Sequence, residues 1–89
     1  MMLRFPNPSR SFDASKSRIS FWGYDSAIEV SFYIDTATLK HLSPDMNEVE
    51  SGFLLTFDAE REHIYEMANR AYMRGGSTFC SHTLAVEDA

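Results

Sequence analysis

The sequence predicts an α+β domain in the order β-β-α-α-β, with helices packed on one face of a mainly antiparallel sheet of three or slightly more strands. Three observations carry this. Two short runs of alternating apolar residues are separated by a turn-forming segment, a long stretch then follows with helical spacing, and a β-prone segment closes the chain. With 89 residues and 10.2 kDa there is room for one core, and a chain of this size buries only about 60 to 65% of its unfolded surface. A hydrophobic fraction of 44% with 13% aromatics places it among globular domains rather than disordered or fibrous chains.

Residues 1–16 hold two prolines, three serines and an asparagine without sustained periodicity, so they are expected to form an extended N-terminal arm. Phe5 and Phe12 are its anchors to the body. The domain proper is expected over residues 17–84. Ser17 to Gly23 alternates, placing Ile19 and Phe21 on one side. Ala27 to Ile34 alternates again, placing Ile28, Val30, Phe32 and Ile34 together. Tyr24-Asp25-Ser26-Ala27 suits a hairpin turn, because Asp and Ser bond nearby backbone. A two-residue loop would pair Phe21 with Ile28 and a four-residue loop would pair it with Val30. Either register keeps the apolar rows on one face.

Asp35 or Thr36 can cap a short helix from Ala37 to about Leu42, which Ser43-Pro44 ends. A long helix is expected from Asp45 or Met46 to Arg74. Met46, Val49, Phe53, Phe57, Ile64, Met67, Ala68 and Ala71 fall within one stripe of roughly 100° on it. Gly75-Gly76 stops it, and Arg70 and Arg74 lie where the helix dipole favours cations. Gly52 is the expected place for a break, since glycine inside a helix costs about 1 kcal/mol relative to alanine. Ser77 to Leu84 is expected to add a third strand, and residues 85–89 a short acidic tail.

The formal charge is −5 and unevenly placed. Residues 1–20 carry Arg4, Arg10, Lys16 and Arg18 against Asp13, which is +3, leaving −8 for the remainder. A phosphate backbone would be repelled by the acidic long helix, which argues against a nucleic-acid partner. No stretch approaches the roughly 18 apolar residues of a membrane span, and the first residues lack the apolar run of a signal peptide. The single cysteine, Cys80, cannot form an internal disulfide, so a reducing cytoplasm is the simplest expected compartment.

The run Ile19-Ser-Phe-Trp-Gly-Tyr-Asp25, followed by Ala-Ile-Glu-Val-Ser-Phe32, resembles the signature strand pair of a family of small bacterial proteins, domain of unknown function 1488. Phe57-Asp-Ala-Glu-Arg-Glu-His-Ile64 and Ala71-Tyr72 extend the resemblance along the long helix, so that it spans about Phe12 to Leu84. It implies a compact α+β domain in bacterial cytoplasm and brings no catalytic residues with it.

Two candidate sites emerge from the residues. With Phe21 and Val30 facing the helices, Ser20, Trp22, Tyr24, Glu29, Ser31 and Tyr33 face away. Three large aromatics on a nominal solvent face suggest a homodimer or protein-partner surface built on Trp22, Tyr24, Glu29 and Tyr33, since Trp and Tyr are favoured interface anchors. The alternative is that the N-terminal arm folds back and covers them. Arg18 and Glu29 share this face and could pair across the strands. The second candidate is a small-ligand pocket near Arg61, Asp25 and Tyr72, where Arg61 would hold an anion. Against it stands an internal salt bridge from Arg61 to Asp25 or Glu29, or a snorkelling stem with its head in water, with Asp25 serving its own turn.

Glu60-Arg-Glu-His63 has the Glu-x-x-His spacing of carboxylate-bridged di-iron bundles, but those need a second copy and two further glutamates. Cys80 and His82 would share a strand face without a third or fourth metal ligand, and Cys80 with His63 or His82 is the one conceivable nucleophile pair. No phosphate-cradling glycine loop, cofactor motif or Ser elbow is present. The sequence therefore points to a small binding module with no cofactor, with an anion sensor at Arg61 as the alternative.

Overall fold

The computed structural model describes residues 3–6, 8–75 and 81–84. Four strands, β1 (Arg10–Asp13), β2 (Arg18–Asp25), β3 (Ile28–Asp35) and β4 (Ser81–Leu84), form one sheet in the order β1-β2-β3-β4. Between β3 and β4 come three helices, α1 (Thr36–Leu42), α2 (Glu50–Ala59) and α3 (Arg61–Gly75). The β1–β2 and β2–β3 pairs are antiparallel; β4 lies parallel to β3, the direction to which a helical crossover returns the chain. The class is α+β as expected, with a radius of gyration of 12.3 Å, against about 12 Å for a compact chain of this length.

The hairpin places its apolar rows on one face as predicted, with a different register. Phe21 pairs with Phe32 rather than with Ile28 or Val30, because both strands extend to Asp25 and Ile28 and leave only Ser26-Ala27 as the loop. Ser26 takes φ 57°, which this tight turn requires. The three registers are separated by steps of two residues, so the inward set is the same. Ile19, Phe21, Val30, Phe32 and Ile34 are all buried, whereas Ile28 at the tip is exposed.

The N-terminal arm is more structured than expected, since it contributes a strand. Arg10–Asp13 pairs with β2, and an isolated bridge joins Arg4 to Tyr24. Only Phe12 is apolar within Arg10–Asp13, so no alternation announces this strand. Asp13 closes the connection to β2: its Oδ1 accepts hydrogen bonds from Ser15 N (3.0 Å) and Ser15 Oγ (2.7 Å), the Asx geometry, and Ser17 follows at φ 50°. The hydrogen bond from the Ser15 hydroxyl holds the Asp13 carboxyl below its ordinary pKa.

Asp35 caps α1, its Oδ1 accepting from Thr38 N at 2.8 Å. The expected single long helix is two helices. α2 starts at Glu50, and the break falls at Glu60 (φ −102°, ψ 16°) rather than at Gly52. One straight helix from Met46 to Arg74 would measure about 44 Å, whereas the longest extent of the molecule is 35 Å. Bending at Glu60 lets α2 lie over β1 while α3 lies over β4, and the backbone hydrogen bonds from Glu60 N to Thr56 O and from Ile64 N to Glu60 O persist across the bend. Val49, assigned to the apolar stripe by spacing, precedes α2 and is exposed.

Gly52 serves close packing instead. A Cβ there would overlap the carbonyl oxygen of Asn47, so only glycine admits the approach of the α1–α2 connection. The core joins the inward face of the sheet to Leu39, Phe57, Ile64, Met67, Ala68 and Tyr72, and Leu84 of β4 completes it. The part of the expected last strand before Ser81, including Cys80, and the expected tail 85–89 lie outside the described residues.

Candidate functional site

Phe5 and Phe12 anchor the arm, but on the helix side of the sheet. The Phe5 ring stacks on Tyr65 of α3 at 3.9 Å between centroids and 6° between planes, and lies 6.3 Å from Phe21 and 6.2 Å from Phe32. Phe12 stacks on Phe53 of α2 at 5.4 Å. Leu3 is buried beside them, its N–H donating to Asn69 Oδ1 at 2.9 Å. Leu3, Phe5 and Phe12 therefore seat the described part of the arm on the inner layer.

On that outer face the cross-strand pairs are Arg18–Asp35, Ser20–Tyr33, Trp22–Ser31 and Tyr24–Glu29. Trp22, Tyr24 and Tyr33 are each half-buried by their neighbours and partly open to solvent. Tyr24 Oη donates to Glu29 Oε2 at 2.8 Å, and this bond to a carboxylate raises the phenol pKa above its ordinary value. The expected Arg18–Glu29 pair does not form, because the two residues occupy opposite ends of the hairpin. The Arg18 guanidinium instead lies over the Tyr33 ring, 3.9 Å from its centroid. Its register neighbours Asp13 and Asp35 direct carboxylate oxygens to Ser15 and Thr38, and Arg18 Nε is buried without a hydrogen-bond partner. Four residues expected to form an interface, Trp22, Tyr24, Glu29 and Tyr33, are thus brought to one surface.

The three residues of the other candidate site are not brought together. Tyr72 Oη donates to Asp25 Oδ2 at 2.6 Å, joining α3 to the end of β2. Arg61 lies at the opposite end of α3, about 16 Å from Tyr72 along the axis. Its salt bridge is internal, but the partner is Asp58 rather than the expected Asp25 or Glu29. Arg61 Nη2 donates to Asp58 Oδ1 at 2.7 Å, and Nη1 donates to Tyr65 Oη at 2.7 Å and to the Pro8 carbonyl at 3.0 Å. Arg10 adds a bidentate contact to the same Asp58, Nε to Oδ1 at 3.0 Å and Nη2 to Oδ2 at 2.8 Å. Asp58 at the end of α2 therefore ties β1 to the start of α3, and Arg61 adds the arm through Pro8. Partial burial pushes its carboxyl up, but the hydrogen bonds from Arg10 and Arg61 outweigh that and hold it below the ordinary range. For Arg61 burial favours the neutral form, and the bonds to Tyr65 and Asp58 override it, raising its pKa.

A groove of about 290 Å³ runs between the α1–α2 connection and α2, lined by Met46, Asn47, Gly52, Leu55, Thr56 and Ala59 among others, and it includes none of Arg61, Asp25 or Tyr72. The Glu-x-x-His pair does meet, His63 Nδ1 lying 3.5 Å from Glu60 Oε1. Among the described residues no group of three His, Cys, Asp or Glu side chains could hold a metal ion. His82 stacks on Phe32 at 5.6 Å and meets Tyr72 edge-on at 5.5 Å, a role in packing that spacing alone did not indicate. No described helix is long and apolar enough to cross a membrane.

No curated protein matches this chain. Among solved structures it is similar to the crystal structure, at 1.60 Å resolution, of a protein of unknown function of the DUF1488 family from Shewanella loihica PV-4. The two share 20% sequence identity and a TM-score of 0.74, with 89% of each chain covered, a likeness of fold. The profile of the family described as protein of unknown function (DUF1488) matches residues 3–81, nearly the whole length, and the chain belongs to that family.

Proposed function

We propose that this chain is a small non-enzymatic binding module of the cytoplasm, and that it works by burying the outer face of its sheet against another protein surface. The observation that supports this is one of sidedness. All the ring contacts of the arm and the buried rows of the helices gather on the inner face, while Trp22, Tyr24 and Tyr33 stand on the outer face with no described element over them. Aromatic side chains gathered on one partly open sheet face suit an interaction site, because tryptophan, tyrosine and arginine are the residue types that anchor such sites. Arg18 held over Tyr33 adds a cation to the aromatic patch.

An anion sensor at Arg61 draws less support, because its guanidinium already meets Asp58, Tyr65 and the Pro8 carbonyl. The binding reading is tested by Trp22→Ala. Association measured by native mass spectrometry is expected to disappear while the circular dichroism spectrum and melting transition persist. Unfolding of that variant would make Trp22 a structural residue and remove the reading.

A further inference from the structure

We infer that the occupant of the outer face is a second copy of this chain, packed sheet to sheet about a two-fold axis that runs parallel to β2 and β3 between them. This rests on the reading that the outer face is the working surface. A two-fold interface demands self-complementarity, each residue meeting a different residue of the same patch. An axis along the strands lays β2 of one copy over β3 of the other at the same height. Every outer residue of β2 and β3 then faces the partner copy's equivalent of its own cross-strand neighbour in that hairpin.

The register supplies what that arrangement needs. Trp22 is paired with Ser31 and Tyr33 with Ser20, so each large ring faces a serine of the second copy rather than another ring. The end pairs are complementary in charge and in hydrogen bonding: Arg18 faces Asp35, and Tyr24 faces Glu29. Arg18 makes no ion pair among the described residues, and Asp35 directs Oδ1 to Thr38. On the flanks Ser11, level with Ser20, faces Thr83, level with Tyr33, and both are exposed. Two sheets stacked with strands nearly aligned, at about 30° and about 10 Å, are the common geometry of β-sandwiches.

The other two-fold consistent with face-to-face stacking runs across the strands. It would also seat rings on serines, Trp22 over Ser20 and Tyr33 over Ser31, but it sets Asp35 against Glu29, a like-charge contact. Charge therefore selects the axis along the strands.

The test exchanges large and small residues within one pair. Ser31→Trp sets two tryptophans against each other twice per dimer, on a half-buried outer-face strand position, and tryptophan is a residue type that strands favour. The double variant Trp22→Ser/Ser31→Trp restores one ring facing one serine about the strand-parallel axis. About the cross-strand axis the same double variant sets the introduced indole against Tyr33 and leaves the clash in place. Sedimentation equilibrium from about 1 to about 300 µM covers the range expected of a small interface. The wild type is expected to dimerise, Ser31→Trp to raise the dissociation constant about tenfold or more, and the double variant to recover most of that loss. The equivalent exchange, Ser20→Tyr/Tyr33→Ser against Ser20→Tyr alone, gives the same test if the first pair does not fold.

A dimer that Ser31→Trp weakens and the double variant does not rescue overturns this axis. A folded monomer that carries a different polypeptide on purification, lost in Ser31→Trp, overturns the second copy and leaves the binding face standing. A folded monomer with no bound polypeptide, or association indifferent to every outer-face variant, overturns both.

Discussion

Tyr72, in the last turn of α3, donates a 2.6 Å hydrogen bond to the carboxylate of Asp25 at the final position of β2. It joins two elements 47 residues apart in sequence, and the tyrosine is only 6% exposed. A hydrogen bond to a charged acceptor contributes more than a neutral one, about 1.5 to 3 kcal/mol. Tyr72→Phe keeps the ring against His82 but leaves Asp25 without its donor, so a stability loss in that range is expected in urea titration. Asp25→Asn retains an acceptor and should lose less. No loss in either variant would mean that the contact stabilises through packing alone.

The position of Asp25 explains why part of this site is legible in the sequence and part is not. Its residue type and place suggest a turn, and the turn is there, but the carboxylate expected to serve that turn accepts from Tyr72 instead, and a partner 47 residues away has no local signature. The alternation of Ile19 and Phe21 against Val30, Phe32 and Ile34 determines the inner and outer faces whatever the register, because registers that differ by two preserve side-chain direction. Asp35 likewise announces the cap of α1. By contrast β1 carries one apolar residue, Phe12, and the bend at Glu60 answers to the size of the sheet beneath rather than to a helix breaker. The partner of Arg61 differs from the expected one for a related reason: Asp58 is its neighbour by helical proximity, three residues back across the bend.

Asp58 predicts a pH dependence. Its carboxyl is held below its ordinary value of 3.8 by Arg10 and Arg61, so the folded state binds a proton less readily than the unfolded chain. Stability from this group is therefore fully present above the ordinary carboxylate value and is lost as pH falls through the lowered one. Asp58→Asn should reduce stability by about 1 kcal/mol at pH 7, as expected of a partly exposed ion-pair network, and should flatten the acid limb of a plot of urea midpoint against pH. A variant with an unchanged acid limb would show that other carboxyls govern it.

Gly52 predicts a reversal of the usual helix rule. Alanine in place of a helical glycine normally stabilises by about 1 kcal/mol. Here the added Cβ would run into the Asn47 carbonyl oxygen, and the α1–α2 connection would have to move. Gly52→Ala is expected to destabilise by about 1 to 3 kcal/mol, the range for overpacking. For a chain of this size each kcal/mol corresponds to about 4 to 8 °C in Tm, readily resolved by calorimetry. An increase in Tm would mean that the connection yields at little cost.

Gly23 sets the seat of the N-terminal arm. It lies buried on the inner face of β2, and a Cβ there would come within 2.7 Å of Phe5 Cε1. The obstacle is a side chain rather than backbone, so the strand itself can tolerate alanine while the ring is displaced. Displacement breaks the Phe5–Tyr65 stack, and aromatic pairs of this kind contribute about 0.5 to 1.5 kcal/mol beyond their buried area. The segment from Leu3 to Phe5 would then be held by the Arg4–Tyr24 bridge and by the bond from Leu3 N to Asn69. Gly23→Ala should therefore speed proteolytic cleavage after Arg4 or Arg10 several-fold while the hairpin amides keep their exchange protection. Phe5→Ala should do the same without altering β2. Loss of hairpin protection in Gly23→Ala but not in Phe5→Ala would place the effect in the strand instead of the arm.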